Sequence, residues 1–254
     1  MLKTNVNGIE LAYERRGQGT PLVLIHGYPL DHTIWDPVVP LLEKHFDLIL
    51  PDLRGFGQSA TTPTPYLLAD MAADIAALLD FLKIEKAAIA GHSMGGYVTL
   101  AFARAYPGRL PGLGLVASQA LADPPEKKAG RYQEAEHILA HGVGEVAEDM
   151  SLKLTDDPVL QTRLKELMLR QDPEGMAGAL RAMAGRLDST GILSAFDFPV
   201  VLVHGQADKL VPVERARLLR AALKQGTLVE IEWVGHMPMM EAPQATADAL
   251  KTLL

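Results

Sequence analysis

The chain of 254 residues contains no cysteine, which excludes disulfides, thiolate zinc sites and a cysteine nucleophile together. Positive charge is in short supply. Against 31 Asp and Glu there are 24 Lys and Arg, a net charge of -7, and the basic residues are dispersed, so neither nucleic acid nor an anionic membrane is expected as a partner. The densest basic cluster, Arg215, Arg217 and Arg220 in "PVERARLLRAALKQG", has the spacing of one solvated helix face. Long apolar runs are missing as well, since none approaches the roughly 18 residues needed to span a bilayer. The opening stretch "MLKTNVNGIELAYERRGQG" lacks an apolar signal core and alternates about Asn7-Gly8, the pattern of a tight hairpin. A soluble cytoplasmic protein is the expectation.

What is present is enough for a full core. A composition 48% hydrophobic and 22% charged suits one globular unit, or a core with a modest insertion. Short apolar runs at 21–27, 46–52, 87–93, 113–118, 199–205 and 228–234 alternate with helix-period stretches. Strands apolar on both faces and separated by helices predict the α/β class, a mainly parallel sheet covered on both sides. In such sheets ligands bind beyond the carboxyl ends of the strands. The rhythm breaks between about 119 and 191, where helical patterns at 126–141, 143–154, 158–170 and 174–187 follow one another. Leu160, Leu164, Leu167 and Met168 form one apolar stripe there, and Met176, Leu180, Met183 and Leu187 another. The expected organisation is a core of 1–118 and 191–254 with an all-helical cap, 119–190, over the top of the sheet.

At that top lies "AIAGHSMGGYVTLAFARAYPGRL" (88–110). Ser93 falls on a sharp strand-to-helix turn, the G-x-S-x-G nucleophile elbow, where Gly91, Gly95 and Gly96 remove side chains that would clash. A serine hydroxyl is a weak nucleophile at neutral pH and needs a base, and the base needs an orienting acid. Asp208 in "QADKLVP" and His236 in "GHMPMMEAP" each follow an apolar strand, so the same sheet edge can supply both.

The motifs "HGYP", "DLRGFGQS", "GHSMGG", "HGQADKLVP" and "GHMPMMEAP", in that order, resemble those of the α/β-hydrolase superfamily. The sequence is similar to its capped carboxylesterases and to the related enol-lactonases and cofactor-free perhydrolases. The resemblance implies a Ser93–Asp208–His236 triad, with the second oxyanion donor coming from the residue after "HG", here Tyr28. The first donor is expected to be the N–H of Met94, at the start of the helix after Ser93. Pro29 restricts Tyr28 to extended conformations. The family also implies structural roles for Asp52 and Arg54.

Other residues attract plainer readings. "GFGQSA" (55–60) has the glycines of a dinucleotide fold, but "TTPTP" follows where the receiving helix should start. His137 and His141 have helical i, i+4 spacing, yet the glutamate of a metalloprotease motif is missing between them. His26, His92 and His204 stand at strand ends where they could line a pocket, and Glu241 is expected to tie down the His236 loop.

The reading that results is a serine carboxylic-ester hydrolase acting through a covalent acyl-enzyme, without metal or organic cofactor. Its partner is expected to be a small-molecule ester, its state a monomer or small homo-oligomer. Many Leu and Met and few evident cations in the cap favour a small to medium apolar ester. Lactonase, thioesterase, perhydrolase and carbon-carbon hydrolase chemistry suit the same residues, as does a small-molecule receptor that retains the triad.

Overall fold

The structure is a computed structural model that describes residues 1–62 and 65–253. Eight strands form one sheet: β1 (Leu2–Val6), β2 (Ile9–Gly17), β3 (Thr20–Ile25), β4 (Phe46–Pro51), β5 (Ala88–His92), β6 (Leu113–Val116), β7 (Val200–Gly205) and β8 (Thr227–Ile231). Their order is β1-β2-β4-β3-β5-β6-β7-β8. The first two strands pair antiparallel about Asn7 (φ 47°) and Gly8 (φ 79°), the left-handed pair that a two-residue hairpin requires. From β4 onward every neighbour is parallel. Alternate residues along a strand serve opposite faces: Val23, Ile25, Ile89 and Leu115 join one core cluster, and Leu22, Leu24, Ala90 and Val116 the other. This is the α/β architecture that the apolar runs predict.

Between β6 and β7 lie the helices Pro125–His141, Gly144–Leu154, Pro158–Met168 and Pro173–Ala184, followed by the single turn Thr190–Leu193. The helices Pro158–Met168 and Pro173–Ala184 each begin at an Asp-Pro pair. Asp157 accepts from the N–H of Val159 and Leu160, Asp172 from those of Glu174 and Gly175, and the proline takes the first helical position. These helices are fastened to the strand-end loops at close range. A Cβ on Gly55 would lie 2.6 Å from the Cα of Gly175, the Gly57 N–H donates to Gln171 Oε1 at 2.9 Å, and the Tyr66 hydroxyl donates to the Gly175 carbonyl at 3.2 Å. Asp52 and Arg54 serve the same loop. Asp52 accepts from the N–H groups of His32 and Gln58, and Arg54 forms a buried two-pronged pair with Asp74 at 2.7 Å.

Two details differ from the sequence reading. The run 228–234 stops being strand at Ile231, because Trp233 (φ 63°) turns the chain. Leu187 is not part of an apolar stripe: its helix ends at Ala184 and the side chain is 68% exposed. The segment 61–65 contains two positions, 63 and 64, outside the described residues.

Candidate active site

The last residue of β5 is followed at once by Ser93 (φ 50°, ψ -112°) and then by the helix Met94–Ala105. Positive φ is costly for a residue with a Cβ, on the order of 1–3 kcal/mol. The turn tolerates it because no side chain competes for the space. A Cβ on Gly95 would lie 2.5 Å from the Ile25 carbonyl oxygen, and one on Gly91 or Gly96 would collide with Gly95 or Ser118 respectively. Hydrogen bonds hold the apex: the Ser93 N–H donates to the Val116 carbonyl at 2.9 Å, and the Ser118 hydroxyl to the Ser93 carbonyl at 2.8 Å. Among the described residues the Ser93 hydroxyl itself has no hydrogen-bond partner within the protein.

The histidine and carboxylate arrive from the ends of β8 and β7. His236 Nδ1 lies 2.7 Å from Asp208 Oδ2, with both side chains almost wholly buried. The other oxygen, Asp208 Oδ1, accepts from the N–H groups of Leu210 and Val211 at 2.9 Å each. Burial alone would push the Asp208 carboxyl up, but His236, His204 and the Val211 N–H together hold it well below the usual carboxylate range. Asp208 is thus a fixed anion held against His236 Nδ1. Glu241 pins the loop, as its sequence position suggests, accepting from Gly235 N–H and Met237 N–H at 3.0 Å each. From the inserted helices, the Leu154 carbonyl accepts the His236 N–H at 2.9 Å.

His26, His92 and His204 do not line the pocket, contrary to the expectation from their strand-end positions. Each turns inward to satisfy main-chain groups: His26 Nε2 accepts from Leu53 N–H, His92 Nε2 donates to the His236 carbonyl at 2.8 Å, and His204 Nε2 lies 2.7 Å from the Val211 carbonyl. Burial, reinforced by the neighbouring His236, lowers His92 to about 3, so it stays a neutral prop beneath the His236 backbone. His137 and His141 are ring-stacked on the surface, with His137 Nε2 2.9 Å from Glu145. A cluster with three potential metal-ligand atoms forms elsewhere, from Asp31, His32 and Asp52. Its carboxylates already serve as a helix cap and a loop clamp.

Ser93, His236 and Tyr28 share the wall of one cavity of about 240 Å³. Met94 opens its helix, so its N–H has no acceptor within that helix. The Tyr28 N–H is likewise absent from the main-chain hydrogen bonds of its loop, and the Tyr28–Pro29 bond is cis. Met150, Leu180, Met183, Leu210 and Val211 supply apolar lining. The helix Pro158–Met168 contributes nothing to it; Leu164 and Met168 pack instead with Trp35 and Met237 in the second core cluster. The expectation of few cations over the site fails: Lys127, Arg131 and Lys153 line the cavity, with Glu134 the opposing carboxylate. A signal for them was present. Residues 127, 131 and 134 follow the i, i+4, i+7 spacing of a single helix face.

The family model describing the alpha/beta hydrolase fold matches residues 20–142. A thermophilic esterase of Thermogutta terrifontis, solved with malate bound, superposes with a TM-score of 0.94 at 38% identity, covering 98% of this chain and 95% of that one. The enol-lactonase of Burkholderia xenovorans LB400 gives 0.91 at 25% identity, covering 99% of each chain. At 33% identity over 95% of this chain, the acetyltransferase component of the acetoin cleaving system of Pseudomonas putida is also similar, though the chain spans 65% of that protein's length. The chain belongs to the α/β-hydrolase family and is an esterase-like hydrolase.

Proposed function

We propose that the protein cleaves carboxylic esters of small to medium size through an acyl-enzyme on Ser93. The observation that carries this reading is the meeting, on one cavity wall, of an unpartnered hydroxyl on a strained elbow with a His236–Asp208 pair. Ser93 Oγ attacks the ester carbonyl carbon while His236 Nε2 takes its proton. The resulting oxyanion is held by the N–H groups of Tyr28 and Met94. Collapse breaks the carbon-oxygen bond, and the proton on His236 passes to the departing alcohol. Water then repeats the sequence, with His236 again as base, and releases the acid. Asp208 stays ionised throughout and stabilises the imidazolium.

Residues 119–190 are proposed as the cap of this site, because three of their four helices contribute side chains to the cavity. The likeness to an esterase and an enol-lactonase supports acyl transfer to water and is compatible with both open-chain and cyclic esters. Multiple turnover of a chromogenic short-chain ester by wild type, abolished in Ser93→Ala, is the expected result. Binding of esters without turnover would favour a receptor over an enzyme. Lactones and thioesters assayed beside the esters would define the acyl class.

A further inference from the structure

The electrostatics of the cavity roof do not suit a purely apolar substrate. Asp123 is one buried carboxylate shared among three cations. Arg186 grips it with two nitrogens at 2.6 and 2.7 Å, Arg131 Nε lies 2.5 Å away and Lys127 3.9 Å. Among the described residues, Glu134 is the single carboxylate lining the cavity itself, against Lys127, Arg131 and Lys153, and Lys153 has no ion pair. The side chains lining the cavity therefore carry an excess of positive charge in a chain whose net charge is -7.

Resting on the esterase reading, we infer that this cavity takes monoanionic esters. The carboxylate, remote from the scissile bond, would meet the cations of Lys127 and Arg131, with Lys153 at hand. The methylenes between the two ends lie against Met150, Leu180 and Met183. Half-esters of dicarboxylic acids have this form. Glu134 sets the position of the anion by excluding it from its own side of the roof, and the charge of Asp123 is divided between Arg186 and Arg131.

The test compares monomethyl adipate with dimethyl adipate, equal in length and different in charge, by proton release from the purified protein. The expected kcat/KM for the half-ester is about tenfold above that for the diester or more, the factor associated with one charge-assisted hydrogen bond. About 0.5 M NaCl should reduce that ratio by raising KM for the half-ester, since added salt screens partly exposed charges. The doubly substituted Lys127→Glu, Lys153→Glu protein, altered at side chains that reach solvent and so checked for folding by circular dichroism, should reverse the preference. Turnover of the diester at a rate equal to or above that of the half-ester in wild type overturns the inference and leaves the esterase reading standing. So does cleavage of 4-nitrophenyl acetate with neither adipate ester accepted. Failure to cleave any ester, 4-nitrophenyl acetate included, defeats the esterase reading itself.

Discussion

Asp208 divides its two oxygens between separate tasks, Oδ1 bound to the Leu210 and Val211 N–H groups and Oδ2 to His236. The first pair fixes the carboxylate and the second fixes the imidazole, so in the proposed mechanism Asp208 and His236 function as one unit with Ser93. Asp208→Asn is expected to lower kcat about 10⁴-fold with the backbone in place, and His236→Ala at least as much. In the double substitution the loss should barely exceed that of His236→Ala alone. Losses that multiply, measured as kcat/KM on one ester, would mean that Asp208 acts apart from His236. The meeting of Ser93 with a His236–Asp208 pair was legible in the sequence because each residue sits in a short motif after an apolar strand. The three other strand-end histidines show where that signal stops. Position at a strand end is common to all of them, whereas the choice between facing the cavity and bonding a carbonyl depends on loop paths that only the fold supplies.

The strand-turn-helix at 88–105 is the element on which the site depends, and its glycines differ in what they tolerate. A Cβ on Gly95 would meet the Ile25 and His26 carbonyl oxygens at 2.5 and 2.6 Å, the backbone leading into the Tyr28 loop. Gly95→Ala should destabilise the protein by about 1–3 kcal/mol, the range for overpacking, and lower activity through displacement of that loop. Gly108→Ala, where nothing lies within 4 Å, should stay within about 0.5 kcal/mol of wild type. Chemical unfolding of both variants decides the matter, and equal stabilities would contradict the packing account of the elbow. At this scale the sequence was informative. Helix limits were readable within a few residues wherever an Asp-Pro start or a glycine end marked them. The end of β8 was not, because the left-handed conformation of Trp233 has no signature in residue type.

For the whole molecule, the buried histidines couple folding to pH. His92 lies at about 3 in the fold, against 6.5 as an ordinary imidazole. Between those limits the unfolded chain binds the proton that the folded chain refuses, so stability declines as pH falls from 6.5 toward 3. Each pH unit in that window costs about 1.4 kcal/mol. His26, also lowered by burial, adds to the decline, and His32, raised because its Asp52 contacts outweigh burial, works against it. Both are common to wild type and His92→Asn. Between about pH 7 and pH 5 wild type should therefore lose about 2 kcal/mol more than the variant, and parallel stability curves would contradict the assignment. The mainly parallel α/β sheet was legible from apolar rhythm, but the order of its strands and the charge of the cavity lining were not. Lys127, Arg131 and Glu134 share a helix face, and a charged face ordinarily meets solvent; it becomes cavity lining when the helix lies across the strand ends. The proposed chemistry of the molecule begins at one nucleophile, Ser93. Intact-mass and peptide mapping after reaction with a fluorophosphonate, or after rapid acid quenching during ester turnover, tests it most directly. A single adduct on Ser93, absent in a folded Ser93→Ala protein that has also lost turnover, is the predicted result. An adduct on another side chain, or undiminished turnover by Ser93→Ala, would contradict it.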